Sequence, residues 1–190
     1  MPGNRREGSL MRKVSILFMA AFLVMTVMAA PSFAQDYAPF EIFGGYNFAS
    51  INGVGEKGEF MNGWNAAFSG NLNSTFGIKA EISGIYKSFE GDYKINAFSF
   101  MAGPQISGRF EVFPGASSVF GHALFGNARL GATEMNSINY FAMALGGGID
   151  WGFGRIGVRA PQIDYYPWRK GGFNFNNYRI SGGLVIRLGN

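Results

Sequence analysis

His122 is the only histidine in a chain of 190 residues, and cysteine is absent. Histidine is the side chain that changes charge near neutral pH, so His122 is the natural candidate for a general base working with a serine and an acid. That chemistry needs a nucleophile within hydrogen-bond reach of the ring. At a spacing of two, the neighbours of His122 are Phe120 and Leu124, and no serine stands there. The lack of cysteine excludes a thiol nucleophile, a thiolate metal site and a disulfide framework. No metal-ligand spacing, phosphate loop or nucleophile elbow is present. Gly146-Gly147-Gly148 follows a strand-like run but no helical pattern comes after it, so it reads as room for close packing rather than as a nucleotide loop. No catalytic residue, cofactor or metal site is therefore assigned.

The remaining polar chemistry is a set of charges that face away from apolar neighbours: Glu41, Lys79, Glu81, Arg129, Asp150, Arg155, Arg159, Arg179 and Arg187. Side chains of a strand alternate between its faces with a period of two. Residues 178–188 show this most plainly. Tyr178, Ile180, Leu184, Ile186 and Leu188 form one row, while Arg179, Ser181 and Arg187 form the other. Apolar spacing of three and four is missing beyond residue 34, and 29 glycines in the chain would break a helix.

Eight such segments position the charges, near residues 40–50, 61–72, 76–87, 95–108, 119–130, 140–151, 155–166 and 178–188. The fold class expected is all-β, an eight-stranded antiparallel up-and-down transmembrane β-barrel with lipid outside and a polar lumen. In the fifth segment Phe120, His122, Leu124, Ala128 and Leu130 are placed outward so that Asn127 and Arg129 face in. In the sixth, Phe141, Met143, Leu145 and Trp151 point out and Asp150 points in. In the seventh, Arg155 and Arg159 face in, and a bulge at Pro161 turns Gln162 and Asp164 inward. Glu41 and Arg187 fall near the same end of the first and last strands, which are neighbours in a closed barrel. Asp150 is expected opposite Gly157, with Arg155 and Arg159 on the diagonals. Tight turns are expected at 73–75 and 152–154, a longer link at 109–118, and external loops at 51–60, 88–94, 131–139 and 167–176.

Residues 1–34 read as a cleavable signal peptide: Arg12-Lys13, an apolar run over Val14–Ala30, and small residues at Ser32 and Ala34. Met11 offers an alternative start. The barrel domain then covers 35–190. Cleavage removes four of 16 basic residues and one of 12 acidic ones, leaving 12 against 11, a net +1. The basic pI thus owes much to the leader, and nucleic-acid binding loses its support.

These residues resemble the small bacterial outer-membrane β-barrels and are similar to the membrane domain of outer-membrane protein A. The similar stretches are Phe120-Gly-His-Ala-Leu-Phe-Gly126, Gly146-Gly-Gly-Ile-Asp-Trp151, Arg159 with Asp164-Tyr165, and Asn177 to Gly189. The resemblance covers about Phe40 to Gly189. It implies export through the periplasm to the bacterial outer membrane and recognition by the barrel-assembly machinery through a C-terminal signal that Ser181, Gly183, Ile186 and Leu188 match. Such barrels commonly end in an aromatic residue, whereas this chain ends Gly189-Asn190, which puts assembly efficiency in question. The resemblance stops at the eighth strand, so the peptidoglycan-binding domain of larger relatives is not expected.

An eight-stranded barrel has an interior that side chains can fill, and buried charges must pair. The leading expectation is a monomeric, non-enzymatic barrel with a structural or surface-interaction role, its lumen charges forming a plug. A narrow porin-like solute or ion pore is the alternative, and a lipid-modifying barrel enzyme using His122 is the third. A lipocalin-like binder would have the opposite polarity, with its apolar face inside. Trp168, Arg169 and Lys170 form a candidate contact for lipopolysaccharide phosphates, because adjacent cations and an aromatic suit that ligand.

Overall fold

The computed structural model describes residues 37–52, 58–88, 94–113, 115–132 and 135–189. The expected signal peptide lies outside them. Ten strands are formed: β1 (Phe40–Ile51), β2 (Glu59–Asn71), β3 (Phe76–Ser88), β4 (Lys94–Phe113), β5 (Gly115–Ala132), β6 (Met135–Phe153), β7 (Ile156–Tyr165), β8 (Trp168–Lys170), β9 (Phe173–Phe175) and β10 (Tyr178–Leu188). Each of β1 to β6 pairs antiparallel with the next, as do β6 with β7, β7 with β10 and β10 with β1. The eight long strands therefore close a ring with no free edge, which satisfies every wall strand on both sides. Both termini of the ring lie at one end, where Phe40 pairs with Leu188.

The period-two reading predicts most faces correctly. Ile42, Phe68, Ile78, Phe100, Leu145, Val158 and Leu184 are exposed, while Phe43, Ser69, Lys79, Met101, Ala144, Arg159 and Val185 on the same strands are buried. The charged and apolar sets are sorted as expected for a wall with hydrocarbon outside.

β5 is the exception. Phe120, His122, Leu124 and Ala128 are buried inside, whereas Phe125, Asn127 and Arg129 are exposed. Placing a lone arginine inward looked economical from the sequence alone. Cross-strand pairing decides otherwise, because Phe120 and His122 are needed to pack against Arg159 and Asp164 in the lumen.

Several connections are tighter than expected. β4, β5 and β6 run for 20, 18 and 19 residues, so the link at 109–118 and the loop at 131–139 are largely strand. Pro104 sits exposed within β4, opposite Ile78. β6 and β7 meet through the two residues Gly154 and Arg155, with Gly154 at φ 62°, the left-handed backbone that two-residue hairpins favour. This shorter turn sets Asp150 opposite Arg159 instead of Gly157. The bulge at Pro161 is present as a register shift against β10, after which Gln162 and Asp164 turn inward. The segment expected as the last external loop forms the β8–β9 hairpin, with β8 lying on β6 beyond the end of β7.

Candidate functional site in the barrel lumen

The inward side chains are layered. At the end carrying the termini, Glu41 and Arg187 are direct cross-strand partners, with Arg187 Nε 3.8 Å from Glu41 Oε1. They line an open recess of about 170 Å³ together with Tyr37, Gln105, Phe120 and Asp150. Two of its lining residues, Phe120 and Asp150, are held by Arg159. The guanidinium donates from Nε and Nη2 to the two oxygens of Asp150 at 2.7 and 2.8 Å, the bidentate geometry suited to carboxylates. Its plane also lies over the rings of Phe120 and Phe43, at 4.0 and 4.7 Å to the centroids. Such an arginine is fixed on every side.

Next to Arg159, and joined to it through Gln162, sits the charged layer. Arg179 donates to Asp164, with Nε and Nη2 at 2.9 and 2.6 Å from Oδ2, and also to Glu81. Lys79 Nζ lies 3.3 Å from Glu81. His122 Nε2 lies 3.0 Å from Asp164 Oδ1, and its Nδ1 lies 3.4 Å from Lys79 Nζ. Gln162 donates from Nε2 to Asp164 at 2.9 Å and accepts from Lys79 at 3.4 Å. Lys79, Glu81, His122, Asp164 and Arg179 are buried, and in this setting each charge requires its partner. Beside the layer, Ser83 and Ser99 share a 2.8 Å hydroxyl contact.

The far half of the lumen is mainly apolar, although Asn47 and Asn177 are buried there too. Ile51, Met61, Ile85, Ile95, Ala97, Met101, Leu124 and Ala142 fill it, closed over by Tyr166 and Trp168. Trp168 stacks on Tyr140 at 5.8 Å and meets Tyr166 edge-on at 5.4 Å. A polar lumen was expected from the eight-strand pattern; the far half is instead a packed, mainly apolar core.

Seven of the nine charges assigned inward from the sequence are brought into the lumen: Glu41, Lys79, Glu81, Asp150, Arg159, Arg179 and Arg187. Two are not. Arg129 is exposed on the outer wall and donates to Ser137 Oγ at 2.9 and 2.6 Å. Arg155 is exposed in the two-residue β6–β7 turn, a consequence of that turn's shortness. Asp164, expected inward but not counted among the paired charges, and His122, expected outward, both belong to the network. Charge balance held the clue: the expected set has six bases and three acids. The observed one has Lys79, Arg159, Arg179 and Arg187 against Glu41, Glu81, Asp150 and Asp164. Trp168 is 1% exposed and so is not a surface contact, while Arg169 and Lys170 are exposed. Of the expected assembly signal, Ser181 is buried in the lumen, whereas Ile186 and Leu188 face outward. Gly183 lies against the backbone of Gly44 and Gly45 across the β10–β1 seam.

No protein-family model matches the chain, and no curated protein is significantly similar to it in sequence. Solved structures do match its fold. Neisserial surface protein A superposes with a TM-score of 0.57 at 10% identity, covering 80% of this chain and 98% of that one. Ail, the attachment invasion locus protein of Yersinia pestis, crystallised with the heparin analogue sucrose octasulfate, superposes with a TM-score of 0.50 at 16% identity, covering 79% and 99%. With eight charged side chains turned into its lumen and its apolar rows exposed, the chain has the fold of the small eight-stranded outer-membrane β-barrels.

Proposed function

We propose that this protein is a sealed, non-enzymatic barrel of the bacterial outer membrane that stabilises the envelope and meets partners through its far-end hairpin. The observation that carries this reading is the double closure of the lumen: an apolar core stacked on a layer of mutually paired charges. Water and ions crossing such an interior would have to break buried ion pairs and then enter a packed, mainly apolar core, both costly steps. This favours the plug over the pore. The enzymatic alternative is disfavoured because both ring nitrogens of His122 are engaged by Asp164 and Lys79, and the ring is buried.

In this reading residues 1–34 are a cleaved leader, and Ser181, Gly183, Ile186 and Leu188 are read by the barrel-assembly machinery. The protein is a monomer, and outer-membrane lipid surrounds its exposed rows. The β8–β9 hairpin projects Arg169 and Lys170 with Phe173, which is 71% exposed, while Trp168 anchors its base inside. Two cations beside an exposed ring suit a sulfated or phosphorylated glycan, lipopolysaccharide included. The sucrose octasulfate complex of Ail makes such a ligand the first to try. The test is reconstitution into planar bilayers. Absence of conductance steps is the expected result, and reproducible steps from folded protein would overturn the sealed-barrel reading.

A further inference from the structure

The outer wall formed by β4, β5 and β6 differs from the rest of the barrel. Near the far end, the outward rows of β1, β3 and β10 present Phe48, Tyr86 and Tyr178, each at least half exposed. On β4–β6 the same end presents Asn96, Asn127, Arg129, Ser137 and Asn139, all exposed. They are gathered by register. Arg129 lies between Phe98 of β4 and Asn139 of β6, and Asn127 lies between Phe100 and Phe141. The wall around them is apolar: Phe98 flanks Arg129, Phe100 and Phe141 flank Asn127, and Phe125 follows one step towards the terminal end, at 50%, 54%, 50% and 44% exposed. An arginine in contact with hydrocarbon is destabilising near the bilayer midplane but not at the headgroup level. Ser137 Oγ accepts from both Nε and Nη2 of Arg129, which holds the guanidinium on the wall.

We propose that this patch binds the phosphate of a lipid headgroup, with Arg129 as the charged donor, Ser137 and the amides of Asn96, Asn127 and Asn139 around it, and the four phenylalanines against the acyl chains. A planar cation with neighbouring amide donors matches phosphate oxygens, and the rings lie where the tails of the same molecule would run. A soluble anion would use the donors but not the rings. A phosphorylated lipid of the outer leaflet uses both. The inference rests on the membrane placement proposed above and is independent of the β8–β9 hairpin.

The test is native mass spectrometry of the folded full chain in detergent, titrated with diphosphoryl lipid A. Dephosphorylated lipid A and inorganic phosphate serve as competitors. Wild type is expected to retain the diphosphoryl lipid and to be displaced poorly by either competitor. R129Q should weaken binding about tenfold, in line with loss of a charge-assisted hydrogen bond. N139D, which sets a carboxylate beside the phosphate, should weaken it as well, whereas R169Q/K170Q should bind like wild type. Wild-type retention unaffected by R129Q and N139D, or equal displacement by inorganic phosphate, would overturn the proposal. Boiled and unboiled samples run on gels establish that each variant is folded. Failure of the wild type itself to form a heat-shifted, detergent-dependent species would count against the membrane reading, not against this patch alone.

Discussion

His122 Nε2 and Asp164 Oδ1 lie 3.0 Å apart inside the barrel, on strands far apart in sequence and with neither side chain exposed. This contact fixes which face of β5 looks inward, and it joins the only histidine to the carboxylate that also holds Arg179. Asp164 is thus the hub of the charged layer, taking hydrogen bonds from an arginine and an amide and facing the imidazole.

Removing one member of this layer strands the others. R179Q leaves Glu81 and Asp164 without their shared cation, so a loss of about 3–5 kcal/mol is expected, with D164N costing less. Urea unfolding in detergent, followed by the heat-shifted band, measures both. Equal midpoints for R179Q and wild type would show that the layer does not hold the barrel together.

H122A should leave lipid A and phospholipid profiles of producing cells unchanged, because the ring is buried with its two nitrogens facing Asp164 and Lys79 and no serine hydroxyl is bonded to it among the described residues. The same variant should unfold more easily than wild type, since Asp164 and Lys79 each lose a partner. Altered lipid profiles would revive the enzymatic reading.

The seam between β1 and β10 admits only glycine at position 183, where a Cβ would overlap the backbone of Gly44 and Gly45. G183V is expected to prevent or slow closure, lowering the yield of the heat-shifted form. G70A is the control. Its added methyl would meet only the Phe40 ring, at 3.9 Å, and it should fold like wild type.

W168A removes a large side chain from the far-end core and should destabilise the barrel by about 3–5 kcal/mol. Because the charged layer beneath remains intact, the variant should still conduct no ions. Channel activity in W168A would mean that the apolar core alone seals the lumen.

R169Q/K170Q should reduce retention of folded protein on a heparin column without changing its heat shift. Unchanged retention would remove the hairpin from the binding surface.

Where both rows of a strand were distinctive, the sequence was enough. On β3, Ile78 and Ile82 alternate with Lys79 and Glu81, and on β10 Ile180 and Leu184 alternate with Arg179 and Ser181, so each face could be named. On β5 the two rows are nearly equal in polarity: Phe120, His122, Leu124 and Ala128 against Phe125, Asn127 and Arg129. Alternation gives a period there but no sign. Turn length was likewise illegible, because Gly152-Phe153-Gly154-Arg155 can close a hairpin in more than one way, and the choice moves Asp150 from Gly157 to Arg159.

By itself, then, the order of residues determined the eight wall strands, the closed antiparallel fold and the sorting of most side chains between lipid and lumen, since these follow from local alternation, whereas the β8–β9 hairpin was not legible. The tertiary structure alone decided the rest. It paired Asp164 with Arg179 and His122, moved Arg129 to the outer wall and stacked an apolar core on the charges. Those outcomes depend on which strands meet and at what register, and that is settled by packing between residues distant in the chain.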